Sequence, residues 1–172
     1  DLEVDRGCQQ LKGENFVNDG KQLVYHEQEN GKRIQWHTLS VPRGGEYKLV
    51  LADGTRVWLN AASELMYPDH FSADQRKVVL KGEAYFEVTK DVKRPFSVVL
   101  GDMEVKVLGT SFNVSAYPGV KRQTTLIEGQ VAVNWHRQQV VIRPGQQAAE
   151  TDEGLRVASV NVMNYVGWKE HR

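Results

Sequence analysis

Cysteine is nearly absent: Cys8 is the single one in 172 residues. No disulfide can therefore close within the chain, and cysteine usage does not report a redox compartment. A nucleophilic role for Cys8 would need a positioned histidine, and Gln9, Gln10 and Leu11 beside it carry no such signature. Long apolar runs are missing as well. The longest span three or four residues, far below the ~20 that a membrane-crossing helix requires, and there is no signal-peptide core. Charge of one sign is not in excess, since 22 Lys and Arg balance 22 Asp and Glu. Without a basic block to track phosphates, nucleic acid is not an expected partner. The five histidines, His26, His37, His70, His136 and His171, never stand at HxH or HxxxH spacing, so no metal site is expected. A glycine-rich phosphate loop and a GxSxG elbow are also lacking, and nothing calls for a cofactor or for enzyme chemistry on an external substrate.

What the chain does have is period-two alternation punctuated by glycine and proline. The clearest case is Val41 to Pro68, VPRGGEYKLVLADGTRVWLNAASELMYP, which reads as a β-hairpin. Its turn type follows from register. A two-residue Asp53-Gly54 loop would set Leu49 opposite Trp58 and scatter the apolar side chains over both faces. A three-residue loop of Ala52, Asp53 and Gly54, with Gly54 left-handed in a G1 bulge, sets Leu49 opposite Val57 and Tyr47 opposite Leu59. Tyr47, Leu49, Leu51, Val57 and Leu59 then share one buried face, so the second register is expected.

Before this hairpin, Gln22 to His26 and Arg33 to Thr38 read as two strands joined at Asn30-Gly31. After it, Asn60 to Asp74 reads as an irregular loop, because Pro68 disfavours a helix there. Arg76 to Leu80 and Glu83 to Val88 read as two strands around Lys81-Gly82. Further strands follow at Phe96 to Leu100, from Val105, at Phe112 to Ala116, Thr124 to Glu128, Gln130 to Trp135 and Gln139 to Ile142, with a weak pair around Glu153-Gly154. Only Val160 to Trp168 has weak helical character. About a dozen short strands without helical crossovers predict an all-β fold, a mainly antiparallel sandwich or flattened barrel, with a solenoid-like stack in part as a variant. Residues 1–40 form a lead-in with a hairpin, 41–150 the main β domain, and 151–172 a trailing segment. A domain of this length buries roughly 70% of its unfolded-chain surface and needs no staples.

Two groups of side chains stand out as candidates. Glu83 and Glu87 lie on one side of a strand and could mimic a catalytic carboxylate pair, although solvent-facing strand positions explain them more simply. Of Trp36, Trp58, Trp135 and Trp168, Trp58 is the best candidate for a binding platform, because the register sets it across from Lys48 on the face away from the core. A second covering layer is the commoner reason for such a tryptophan. A carbohydrate-binding sandwich is accordingly one functional alternative.

Six blocks in order carry a more specific signal: the hairpin stretch above, then RKVVLKGEAYFEV, RPFSVV, VKVLGTSFNVSAYP, LIEGQVAV and RPGQQA. Together, over roughly residues 40 to 150, they resemble the periplasmic region of FecR-type anti-sigma factors, especially those of Bacteroidetes. The resemblance implies a non-enzymatic signalling module in the periplasm. It implies a cytoplasmic segment that holds an extracytoplasmic-function sigma factor, one inner-membrane helix outside this sequence, and relay from a TonB-dependent outer-membrane transducer. It also implies a small βαβ domain after a segment like Tyr165 to Arg172. On that basis Val162, Tyr165 and Trp168 should be incompletely covered, and Trp58, Lys48 and Trp168 are the candidates for a partner or ligand surface.

Some family members cut themselves at a Gly-Thr bond in a motif similar to LGTSFNV, which makes Gly109 and Thr110 candidates for self-cleavage. The chemistry would be an N-to-O acyl shift, in which the Thr110 hydroxyl attacks the Gly109 carbonyl and water then hydrolyses the ester. The competing expectation is a bend at Gly109 that Thr110 caps.

Overall fold

The computed structural model describes residues 33–169 and the backbone of three short strands before them. Those three are β1 (Leu2–Glu3), β2 (Phe16–Asn18) and β3 (Gln22–Tyr25). The next seven are β4 (Trp36–Ser40), β5 (Tyr47–Val50), β6 (Arg56–Leu59), β7 (Glu64–Pro68), β8 (Arg76–Glu87), β9 (Phe96–Leu100) and β10 (Met103–Val107). The last six are β11 (Ser111–Ala116), β12 (Gln123–Glu128), β13 (Val131–Trp135), β14 (Gln138–Ile142), β15 (Gln146–Thr151) and β16 (Gly154–Ser159). A four-residue helix, α1 (Met163–Val166), and a 3-10 turn at Gly167–Lys169 follow.

The chain is all-β, as the alternation predicts, and β8 organises it. Its first half pairs with β7 and β9, and its second half pairs with β6 and β11. One sheet therefore reads β4-β7-β8-β9-β10-β13-β14 and the other β5-β6-β8-β11-β12-β15-β16. They meet again where β14 lies against β16, so the two sheets form a nearly closed, flattened barrel. Pairing is antiparallel except for β1 with β4, β3 with β5 and β8 with β9. The core fills the interior with Leu49, Val57, Leu65, Val78, Phe86, Phe96, Val98, Val105, Phe112, Leu126 and Val133, among others. Phe86 stacks on Phe112 at 5.1 Å and meets Phe96 of the other sheet edge-on at 6.1 Å.

The central hairpin has the expected register. Tyr47 faces Leu59 and Leu49 faces Val57, Gly54 has φ +89°, and Leu51 N–H donates to Thr55 O at 2.8 Å. All five apolar residues of that face are buried.

Three local readings are corrected. The first is the lead-in hairpin: the strands at 22–25 and 36–40 form but do not pair with each other. Gln22–Tyr25 lies between β5, to which it is parallel, and β2, while Trp36–Ser40 lies between β7 and β1, so the two extend different sheets. The Asn30-Gly31 turn lies outside the described residues, as does Cys8. The second is the stretch Asn60 to Asp74, expected to be a loop, which contains β7. Leu65 and Tyr67 there alternate into the core, and Pro68 is tolerated as the strand's last residue. The third is Lys81-Gly82, which is not a turn; β8 runs through it for 12 residues. Gly82 is the bend at which β8 changes sheets. Its φ is +105°, and a Cβ there would stand 2.7 Å from Ser63 Cα, so only glycine fits. Ser63 Oγ accepts the Glu83 N–H at 2.8 Å, replacing the ladder bond that the bend removes.

Candidate functional site

The outer face of the second sheet carries a row of side chains set by register alone. Lys48 of β5 faces Trp58 of β6, Trp58 faces Tyr85 of β8, Tyr85 faces Asn113 of β11, Asn113 faces Thr125 of β12, and Thr125 faces Gln147 of β15. An outer face is ordinarily solvated, yet Tyr85, Asn113, Thr125 and Gln147 are all buried. Over Tyr85 and Asn113 the cover comes from the C-terminal segment, which leaves β16 after the bond from Val160 N–H to Gly145 O at 2.9 Å and returns to this face. Thr125 and Gln147 bond each other, Gln147 Nε2 donating to Thr125 Oγ1 at 3.0 Å.

Trp168 anchors this return. Its indole N–H donates to Asn113 Oδ1 at 2.9 Å. Asn113 Nδ2 donates in turn to Glu83 Oε2 at 2.9 Å, and Asn60 Nδ2 donates to Glu83 Oε1 at 3.0 Å. Lys169 places its ammonium 5.0 Å from the Trp58 ring centroid and 4.5 Å from that of Tyr85. Lys48 lies 5.0 Å from the same indole, and Tyr85 meets it edge-on at 5.6 Å. These are cation–π distances. Lys48, Trp58 and Trp168 are thus brought to one face, with Trp58 half-buried among three cations, the third being Arg56, whose Cζ lies 5.9 Å from the ring centroid. The segment's Val162, Tyr165 and Trp168 are half-buried and its Val166 is buried. Residues 170–172 lie outside the described residues.

Gly109 and Thr110 stand elsewhere, in the connection between β10 and β11. The backbone there is held tightly: Val88 N–H donates to Thr110 O and Asp91 N–H to Leu108 O, each at 2.9 Å. Glycine is required at 109 because a Cβ would come within 2.6 Å of Lys90 Cα. The Thr110 hydroxyl, 5% exposed by residue, donates to Gln130 O at 3.1 Å. A cleft of about 330 Å³ opens beside them, lined in part by Pro95, Leu108, Ala132 and Val141.

Behind this connection lies a buried ion pair that sequence reasoning missed. Arg76 is wholly buried, and its Nη1 donates to Asp53 Oδ2 at 2.8 Å and to Thr89 O at 2.6 Å. Its Nε donates to Arg94 O at 2.7 Å, and its Nη2 to Leu108 O at 3.1 Å and Asp91 O at 3.3 Å. Asp53 also accepts from the Thr55 N–H and hydroxyl. One guanidinium thus ties the hairpin turn to the residue before Gly109. The available signal was parity, since Arg76 is in phase with the inward-facing Val78 and Leu80, and a charge in that phase needs a buried partner. Glu83 and Glu87 do not act as a pair: Glu83 binds the two asparagines, and Glu87 binds Arg56.

The FecR protein family model matches residues 37–132, more than half of the chain. This chain belongs to the FecR family. The fold agrees with two crystal structures of a protein from Parabacteroides distasonis assigned as an anti-sigma factor, with TM-scores of 0.76 and 0.75 at 32% identity. The matches cover 78% and 77% of this chain but 65% and 64% of those chains, so this FecR-family chain spans less than two thirds of their length. Among curated proteins, none matches it.

Proposed function

We propose that this chain is the signal-receiving β region of a FecR-type anti-sigma factor. The observation that carries the proposal is the family match over residues 37–132, together with the common fold at 32% identity to a protein assigned as an anti-sigma factor. In this reading the region sits in the periplasm, the full-length protein is anchored in the inner membrane, and its cytoplasmic segment holds an extracytoplasmic-function sigma factor. The input is the state of a TonB-dependent outer-membrane transporter. The role is regulatory: the barrel offers a rigid body whose faces bind other protein segments, with no catalytic turnover of an external substrate.

The test uses the full-length protein. Affinity capture from membranes should recover one sigma factor and one outer-membrane transducer, and deletion of residues 37–132 should uncouple sigma-dependent transcription from the inducing nutrient. Recovery of neither partner, with transcription unchanged by the deletion, would overturn the proposal. A glycan titration followed by tryptophan fluorescence separates it from a carbohydrate-binding role, and no saturable response is expected.

A further inference from the structure

We propose that residues 162–169 form a releasable clasp, and that the outer face of the second sheet is its docking site. The occupant is this chain's own C-terminal segment, seated through Val166, Trp168 and Lys169.

The segment has little order of its own. Its helix is one turn long, and single turns do not persist in water without docking. Val162 at the N-cap offers no side-chain acceptor, and the side-chain bond to the first turn comes from Asn161 Oδ1, which accepts the Met163 N–H at 3.2 Å from within the segment. From Asn161 onward the described backbone bonds close within the segment: Asn164 N–H to Asn161 O, Val166 N–H to Val162 O and Gly167 N–H to Met163 O. Among its described residues only Val166 is buried. Among the described residues its hold on the barrel runs through side chains, whereas the strands beneath are joined by ladder bonds on both sides. An element so attached opens on its own, without global unfolding.

The docking site, by contrast, is built to need an occupant. Asn113 Oδ1 is a buried acceptor that Trp168 satisfies, and its Nδ2 is already committed to Glu83. When the clasp leaves, that acceptor must find water or another donor, and the rings of Trp58 and Tyr85 lose a cation. Docking thus couples the position of Trp168 to the Asn60–Glu83–Asn113 network, which spans the β6–β7 connection, β8 and β11. Such a clasp operates whatever partner the full-length protein meets.

Hydrogen–deuterium exchange of the whole chain, read by mass spectrometry, tests this. In the wild type the amides of residues 163–169 should exchange on the order of a hundredfold or more faster than those of β8 and β11. Asn113→Ala and Lys169→Gln should each speed exchange of 163–169 by about three- to tenfold, as the loss of one such contact predicts, with β8 and β11 unchanged in Lys169→Gln. Lys169 is half-buried at the surface, so its variant keeps the test open should Asn113→Ala weaken the barrel. Protection of 163–169 in the wild type equal to that of β8 and β11 would overturn the proposal, as would unchanged exchange of 163–169 in Lys169→Gln.

Discussion

The side-chain amide of Gln138 takes both backbone groups of Leu155: its Oε1 accepts the Leu155 N–H at 2.7 Å and its Nε2 donates to the Leu155 carbonyl at 3.2 Å. Gln138 begins β14 and Leu155 lies in β16, so the carboxamide stands in for a peptide group across the seam at which the barrel fails to close. Gly154 makes room for it, since a Cβ there would lie 2.7 Å from Oε1. The bond from Val160 N–H to Gly145 O only continues the β15–β16 ladder by one more pair, so it does not close this seam.

Gln138→Ala should therefore lower stability by about 1–2 kcal/mol, the net worth of two such bonds, and leave β16 amides faster to exchange. Urea unfolding with exchange measured on the same samples checks this. An unchanged midpoint with unchanged β16 exchange would show that the seam is closed by other contacts.

Arg76→Ala strands a buried carboxylate and is expected to cost about 3–5 kcal/mol. The double variant with Asp53→Ala should cost clearly less than the sum of the singles, because the second change removes the charge that the first leaves unpaired. Additivity in a chemical-denaturation cycle would refute direct coupling.

Leu49→Ala removes a wholly buried side chain from the central hairpin. A loss of about 2–5 kcal/mol follows from the lost transfer energy and the cavity left behind. A urea midpoint equal to the wild type's would contradict the burial.

Acid should weaken the rim where Arg122 is clustered. Its Nε donates to Glu150 and its Nη1 to Asp102, and these bonds hold both carboxyls below the usual carboxylate range. A depressed folded-state value means stability that is present above the unfolded value and lost as pH falls through the folded one. Unfolding midpoints of the wild type should thus drop more steeply below about pH 4 than those of Glu150→Gln. Parallel acid limbs would count against the ion pair.

The Gly109-Thr110 bond is enclosed by backbone bonds on both sides, and the Thr110 hydroxyl is engaged by Gln130. This chain is expected to keep a single intact mass through long incubation, as Thr110→Ala should. Wild-type fragments ending at Gly109 that vanish in Thr110→Ala would establish self-cleavage instead.

Alternation alone determined much of this protein: the all-β class, the three-residue turn at Ala52 to Gly54, the buried face of the central hairpin, and the order of the later strands. These are legible because a period of two assigns each side chain to a face within a few residues, and a slip of one would expose the whole set. Tertiary structure decided which strands are neighbours. Nothing local tells Gln22–Tyr25 to run beside β5, Glu64–Pro68 to pair with Trp36–Ser40, or β8 to pass through Lys81-Gly82 and serve two sheets. It also decided that Asn113, Arg76 and Gln138 matter. Each does so through a partner 17 or more residues away, Trp168, Asp53 and Leu155 respectively. Periodicity assigns a face to a polar residue, but only long-range packing decides which group it meets there.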